Sequence, residues 1–74
     1  MDHPRISENP KVMFGKPVIR GTRIPVEIIL RLLGNGHSVE AVLESYPGLA
    51  RDDVLAAQAF AADFLGSWRT VAAE

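Results

Sequence analysis

The side chains that could do chemistry are few, and their spacing does not suit it. Gly15-Lys16 resembles the end of a phosphate-binding loop. That loop needs a glycine five residues before the Gly-Lys pair and a serine or threonine after the lysine. Here the positions hold Pro10 and Pro17. Asp52-Asp53 is a carboxylate pair, but neighbours in sequence diverge by about 100° around a helix. They read instead as acids at the positive end of a helix. His3 and His37 are too few and too far apart for a histidine metal site. His37 precedes a helix cap and reads as a lone, exposed histidine, a weak candidate for catalysis. Ser7, Ser38, Ser45 and Ser67 lie in no nucleophile motif, and the absence of cysteine excludes disulfides and thiolate metal centres. A chain of 74 residues also offers no obvious deep pocket for a small-molecule substrate. The expectation is a binding protein and not an enzyme, with no catalytic residue, metal or cofactor.

Binding chemistry is better represented. Residues 1–31 carry six bases (Arg5, Lys11, Lys16, Arg20, Arg23, Arg31) against three acids, and residues 32–74 carry two bases against six acids. The overall charge of −1 argues against a general nucleic-acid coat. The asymmetry still leaves Lys16, Arg20 and Arg23 as candidate contacts for an anion or for DNA. Arg51 and Gln58 are candidates for reading bases if the helix that carries them enters a major groove. Asp52 and Asp53 beside Arg51 work against that, because phosphates repel acids.

These residues need elements to hold them. Residues 1–11 read as an extended lead-in with room for a short strand near Ile6. Val12-Met13-Phe14 and Val18-Ile19 are short apolar runs separated by Gly15-Lys16-Pro17, a pattern that predicts a short β-hairpin. Helix one is expected from Pro25, favoured at a first helical position. Val26, Ile29, Leu30 and Leu33 form its apolar stripe, and Gly34-Asn35-Gly36 forms its stop. Ser38 is a suitable cap for helix two, which Pro47 ends after about two turns. Pro47-Gly48 marks a turn. Helix three is expected from Arg51 to Leu65, with Gly66 as its stop. The pattern gives a mostly α domain over residues 12–66 and a tail over residues 67–74. Two short helices, a tight turn and a longer third helix make a helix-turn-helix order. No apolar run reaches the roughly 20 residues of a membrane span, and Met1 to Pro10 has no apolar secretion segment. The expected location is the cytoplasm.

Helix three holds the most informative pattern. Residues 54–65 read Val-Leu-Ala-Ala-Gln-Ala-Phe-Ala-Ala-Asp-Phe-Leu, with Gln58 and Asp63 as the polar positions. A surface helix of a small domain has an apolar stripe and a polar back. This one is apolar nearly all round, and Trp68 follows. A three-helix body is too small to cover it, and a domain of this size commonly needs a partner to be stable. Phe60, Phe64, Leu65 and Trp68 are therefore expected at a protein interface, against a second copy or another protein.

The segment Gly15-Lys16-Pro17-Val18-Ile19-Arg20-Gly21-Thr22-Arg23-Ile24-Pro25-Val26 is distinctive. With Asn9-Pro10 before it and Tyr46-Pro47-Gly48-Leu49 after helix two, it resembles the domain-of-unknown-function 433 family. That family includes VapB-type antitoxins, often encoded beside a toxin with a PIN-like ribonuclease domain. The likeness spans roughly residues 5–65. It implies a homeodomain-like three-helix fold behind a short β element, dimerisation, and a role in neutralising a PIN-like toxin, with repression of the chain's own operon. Ala50 departs from the family's usual threonine or serine helix cap. Two other functions remain compatible with the residues: a stand-alone helix-turn-helix DNA-binding regulator, and a structural dimer or adaptor.

Overall fold

A computed structural model describes the backbone of residues 2–72 and the side chains of residues 2–67. The chain is mostly α. Three helices, α1 (Val26–Gly34), α2 (Val39–Ser45) and α3 (Arg51–Ala72), follow two short strands, β1 (Ile6–Ser7) and β2 (Val18–Ile19). The strands pair antiparallel, Ile6 opposite Ile19 and Ser7 opposite Val18. Val18 also bridges to Pro25, which ties the second strand to the entrance of α1.

The hairpin differs from its sequence-based form in one strand. Val12–Phe14 does not pair with Val18-Ile19; Ile6–Ser7, from the expected lead-in, takes that place. Burial explains the choice. Ile6 delivers its side chain to the core and is 6% exposed, whereas Phe14 is 96% exposed. Residues 13–15 form a tight turn in which Met13, Phe14 and Gly15 all take positive φ, at 49°, 58° and 84°. For bulky residues such as methionine and phenylalanine this left-handed conformation costs about 1–2 kcal/mol each.

The helix ends follow local chemistry. Pro25 precedes α1 in extended conformation and Glu27 lies in its first turn. The far end closes as a Schellman motif: Gly36 N–H donates to Leu33 C=O at 3.0 Å and His37 N–H to Leu32 C=O at 3.0 Å. Gly36 sits at φ 97°, the position where glycine avoids a Cβ clash. Ser38 caps α2 by accepting from Ala41 N–H at 3.1 Å. Tyr46, held out of helical geometry by Pro47, ends it. Leu49 N–H then donates to Tyr46 C=O at 2.9 Å across the Pro-Gly turn.

Helix α3 is longer than expected. It runs through Gly66 to Ala72. A glycine inside a helix costs only about 1 kcal/mol relative to alanine, too little to stop a helix flanked by good formers, and Gly66 is not among the glycines with positive φ. At 1.5 Å per residue its 22 residues span about 33 Å, far more than α1 or α2 can flank.

Every element contributes to one core. Ile6, Ile19, Val26, Ile29, Val42, Leu49, Val54 and Ala57 are buried together, with Leu30, Leu33, Leu43, Tyr46 and Phe60 packed around them. No helix among the described residues is long and apolar enough to cross a membrane.

Candidate protein interface

The core-facing stripe of α3 continues after the core has ended. Val54 and Ala57 are fully buried. Phe60 and Ala61, one turn on, are half-buried. Phe64 lies two turns beyond Ala57 on the same side and is 58% exposed, and Leu65, one turn beyond Ala61, is 63% exposed. The α1 and α2 helices are simply too short to reach them. Phe60 thus serves the chain's own core, while Phe64 and Leu65 face solvent. Trp68, the fourth residue expected at an interface, lies outside the described side chains.

Two grooves flank Phe64. One, of about 220 Å³, is walled by Pro17, Val26, Leu30, Phe60, Ala61 and Phe64, with Lys16 and Glu27 at its rim. On the other side, Phe60 and Phe64 adjoin His3, Glu8, Asp63 and Ser67. The ring of His3 stands edge-on to Phe60 with centroids 5.4 Å apart, and its Nε2 lies 2.8 Å from Asp63 Oδ2. The N-terminal arm therefore folds along α3 and stops beside Phe64.

Arg5 and Arg20 hold that arm. Arg5 donates from Nη1 to Asp53 Oδ1 at 2.9 Å. Asp53 is buried, and its other oxygen accepts Ala50 N–H at 2.9 Å. This is the acid half of a capping box, reaching back to the residue before the helix. It supplies the satisfaction that Ala50, without a side-chain acceptor, cannot. Arg20 donates from Nε to Pro4 C=O at 2.6 Å and from Nη2 to Ile6 C=O at 3.0 Å. Thr22 Oγ1 donates to Ile19 C=O at 2.7 Å and accepts from Ile24 N–H at 3.0 Å, which fixes the turn into α1.

The candidate nucleic-acid residues are dispersed and mostly engaged. Lys16 Nζ lies 3.1 Å from Glu27 Oε1, and Arg31 Nη2 lies 3.2 Å from Glu27 Oε2. Arg51 is paired with Glu40 across the α2–α3 turn. Arg20 is spent on backbone carbonyls, as above. Gln58 is exposed on α3. Arg23 is exposed beside an open hollow lined by Ser7, Asn9, Thr22 and Gly48, with no acidic partner among the described residues. Lys16, Arg20 and Arg23 thus do not converge with Arg51 and Gln58 into one cationic face. No cluster of three or more potential metal ligands occurs among the described residues.

Two carboxylates respond to these pairings. Hydrogen bonds from Lys16 and then from Arg31 hold Glu27 below the ordinary carboxylate range. Glu40 is lowered first by its own backbone N–H and then by Arg51. A depressed folded value contributes stability above the unfolded value, and that contribution disappears as pH falls through the folded one. Both acids are more than half exposed, so the energies are small and screened by salt. Carboxyl-carbon NMR titration should find that Lys16→Met moves Glu27 back up toward the ordinary range, and that Arg31→Met moves it up less. Equal shifts in both variants would contradict this ordering.

The sequence did not assign Arg5, His3 and Phe14 these positions, and it read Asp53 only as an acid at the positive end of α3. For Asp53 a signal existed, an acid three residues after the cap position. No local pattern marks Phe14, because its exposure follows from a turn that forms only when Ile6 takes the strand position.

The comparison with known families is direct. The family model described as a protein of unknown function, DUF433, matches residues 6–61. The chain belongs to the DUF433 family. A crystal structure of a DUF433 member from Anabaena variabilis ATCC 29413 is similar to it, with a TM-score of 0.78 and 30% sequence identity, covering 95% of this chain and 69% of that one. An uncharacterized protein, y4eO, of Sinorhizobium fredii (strain NBRC 101917 / NGR234) is 38% identical over 56 residues, covering 76% of this chain. This DUF433 chain spans only 25% of that relative's length. The family match begins at the first core residue, Ile6, and ends at Ala61, before the exposed Phe64. The family model thus takes in the packed body as far as Ala61, and the likeness to the Anabaena variabilis structure, over 95% of this chain, reaches further.

Proposed function

We propose that this chain is an antitoxin-like, non-catalytic binding protein of the cytoplasm that covers a PIN-like ribonuclease with the distal half of α3. One observation carries the reading: Phe64 and Leu65 extend the core stripe of α3 into solvent, at 58% and 63% exposure. Scattered single hydrophobes on a surface are ordinary, but a contiguous apolar strip bordered by charged residues marks a place where another protein docks. The apolar groove of Pro17, Val26, Leu30 and Ala61 beside Phe64 extends the strip. The Lys16–Glu27 and His3–Asp63 pairs give it a polar rim. The identity of the partner rests on the sequence likeness to VapB-type antitoxins.

Co-expression with the product of the gene beside this chain's own, expected to be PIN-like, followed by affinity purification and a growth assay, tests the proposal. The two proteins should co-purify and growth should recover. Phe64→Glu should weaken the complex at least about thirtyfold, as expected for a central aromatic anchor, without unfolding the chain. A wild-type chain that neither binds the ribonuclease nor relieves its toxicity would refute the antitoxin role.

A second reading, a DNA-binding regulator, is favoured by the α2–turn–α3 order together with the exposed, acid-free Arg23 and exposed Gln58. The two roles are compatible in one protein. A mobility-shift measurement on the chain's own promoter at low salt decides it, and no shift there eliminates the reading.

A further inference from the structure

We propose that the chain binds single-stranded nucleic acid at the hollow beside β2, with a phosphate of the strand on Arg23 and a neighbouring base stacked on Phe14. No residue of this hollow lines either groove beside Phe64. The surface is thus separate from the strip on α3 and does not depend on the antitoxin reading.

Charge is the first argument. Arg5, Arg20, Arg31 and Arg51 spend their guanidinium groups inside the chain, on Asp53, on backbone carbonyls, on Glu27 and on Glu40. Arg23 is exposed at the hollow and is the one arginine among the described side chains without a partner in the chain. No carboxylate among the described residues lines the hollow. Glu8, between Ser7 and Asn9 in sequence, borders the groove of His3 and Asp63 instead. Lys11, two residues after Asn9, is exposed and also has no acidic partner among the described residues. The charges of Lys11 and Arg23 are therefore not neutralised within the chain, and an anion is the complement they lack. A guanidinium takes a phosphate by two parallel N–H bonds.

Uncommitted donors surround that cation. Asn9 Oδ1 accepts Lys11 N–H at 2.9 Å, which leaves the amide N–H groups of Asn9 unbonded. The Ser7 hydroxyl forms no hydrogen bond within the described chain, and neither do the N–H groups of Gly21 and Gly48. All four residues line the hollow, whose remaining wall is apolar, from Val12, Val18 and Ile24. The hollow is open and measures about 720 Å³. A site for a free nucleotide encloses most of its ligand. An open trough with an anion-seeking end suits one stretch of a longer strand, whose weak contacts add along its length.

An aromatic ring stands beside the trough. Phe14 is 96% exposed, so the ring gains almost nothing from its own chain. It sits at φ 58°, ψ 30°, between Met13 and Gly15, which are left-handed too. Backbone strain of this kind clusters at functional positions. The turn is well fastened, with Val12 N–H donating to Asn9 C=O at 2.8 Å and Lys16 N–H to Met13 C=O at 3.1 Å. The same Asn9 and Val12 line the hollow, and the backbone of Phe14, two residues beyond Val12, lies within about 7 Å of its wall. A ring held out on a fastened turn is a stacking platform for an unpaired base. In a duplex the base faces are covered by their neighbours, so this ring selects single strands. A lipid surface would use the ring but not the donors within the hollow.

Fluorescence anisotropy with labelled oligouridylate and oligothymidylate of about twelve nucleotides tests this on the full chain, over a salt series. Both strands should bind, since phosphate and base face are common to them, and a duplex should bind more weakly. Arg23→Ala should weaken binding about tenfold and flatten the salt slope by about 0.7, the share of one phosphate. Phe14→Gly removes the ring and suits the left-handed backbone, so circular dichroism should find it folded. It should weaken binding about five- to hundredfold with the salt slope unchanged, and Phe14→Trp should retain the affinity. Phe64→Glu and Arg51→Ala should leave binding as it is. A wild-type chain that binds neither strand at low salt overturns the proposal, and Phe14-dependent binding to phosphatidylserine vesicles would then assign the ring to a lipid surface. Tighter binding of the duplex overturns it too, as does strand binding indifferent to either Arg23→Ala or Phe14→Gly. Displacement by inorganic phosphate at constant ionic strength, with no response to Phe14→Gly, would mark a site for the free ion and equally overturn it.

Discussion

Replacing Asp53 by alanine should destabilise the domain by about 2 kcal/mol, a sum of a lost cap of about 1 kcal/mol and a partly solvated charge-assisted bond of similar size. Both oxygens of Asp53 are committed, one to Arg5 Nη1 and one to Ala50 N–H, each at 2.9 Å. Its carboxylate also lies in the first turn of α3, where the helix dipole favours an acid. For a chain of this size the loss corresponds to a fall in melting temperature of roughly 8–16 °C. Asp53→Asn keeps an oxygen for Ala50 N–H but loses the charge opposite Arg5, so it should cost about half as much. Asp52→Ala should cost little, since Asp52 is exposed and its nearest approach to Arg5 is 3.6 Å. Thermal denaturation of the three variants checks the order. Equal effects of Asp52 and Asp53 would mean that general charge at the helix terminus matters and the specific bonds do not.

Ile29→Ala should cost more, about 3 kcal/mol. Ile29 is fully buried among side chains from all five elements. Removing three carbons leaves a cavity that α1 cannot close, because Pro25 and the Schellman motif fix both of its ends. A domain of this length is expected to hold only about 4–11 kcal/mol in total, so the variant stands near the threshold of folding. The adjacent Ile28 has the same side chain but is 36% exposed. Its alanine variant should cost less than about 1 kcal/mol. Urea denaturation of the pair isolates burial from residue type, and similar losses at both positions would contradict the assigned core face.

The core face of α1 was legible from the spacing of Val26, Ile29, Leu30 and Leu33. The ends of α1 and α2 were legible from Pro25, Gly36, Ser38 and Pro47. Each of these signals is local: a ring constraint, a positive φ, a hydroxyl at a cap. What could not be read depended on contacts between distant parts of the chain. Val12–Phe14 is as apolar as a strand should be, and only the competing burial of Ile6 displaces it. Gly66 carries a stop signal that is weaker than the helix propensity around it. Among the interface residues, alternation in the sequence could not separate Phe60, which turns into the core, from Phe64, which lies just past it. Lys16, Arg20 and Arg51 looked available for nucleic acid because their partners Glu27, Pro4 and Glu40 lie 11 to 16 residues away in sequence.

The way the N-terminal arm is fastened also sets an order of events during synthesis. Arg5 reaches Asp53 across 48 residues and His3 reaches Asp63 across 60. Closing such wide loops is entropically slow compared with winding α1 or α2. The anchoring of the arm to α3 is thus among the last steps of folding. Ile6 and Ser7 can pair with β2, and Arg20 can take up the Pro4 and Ile6 carbonyls, as soon as residue 20 is free, but the arm's two anchors on α3 must wait until Asp53 and Asp63 have emerged.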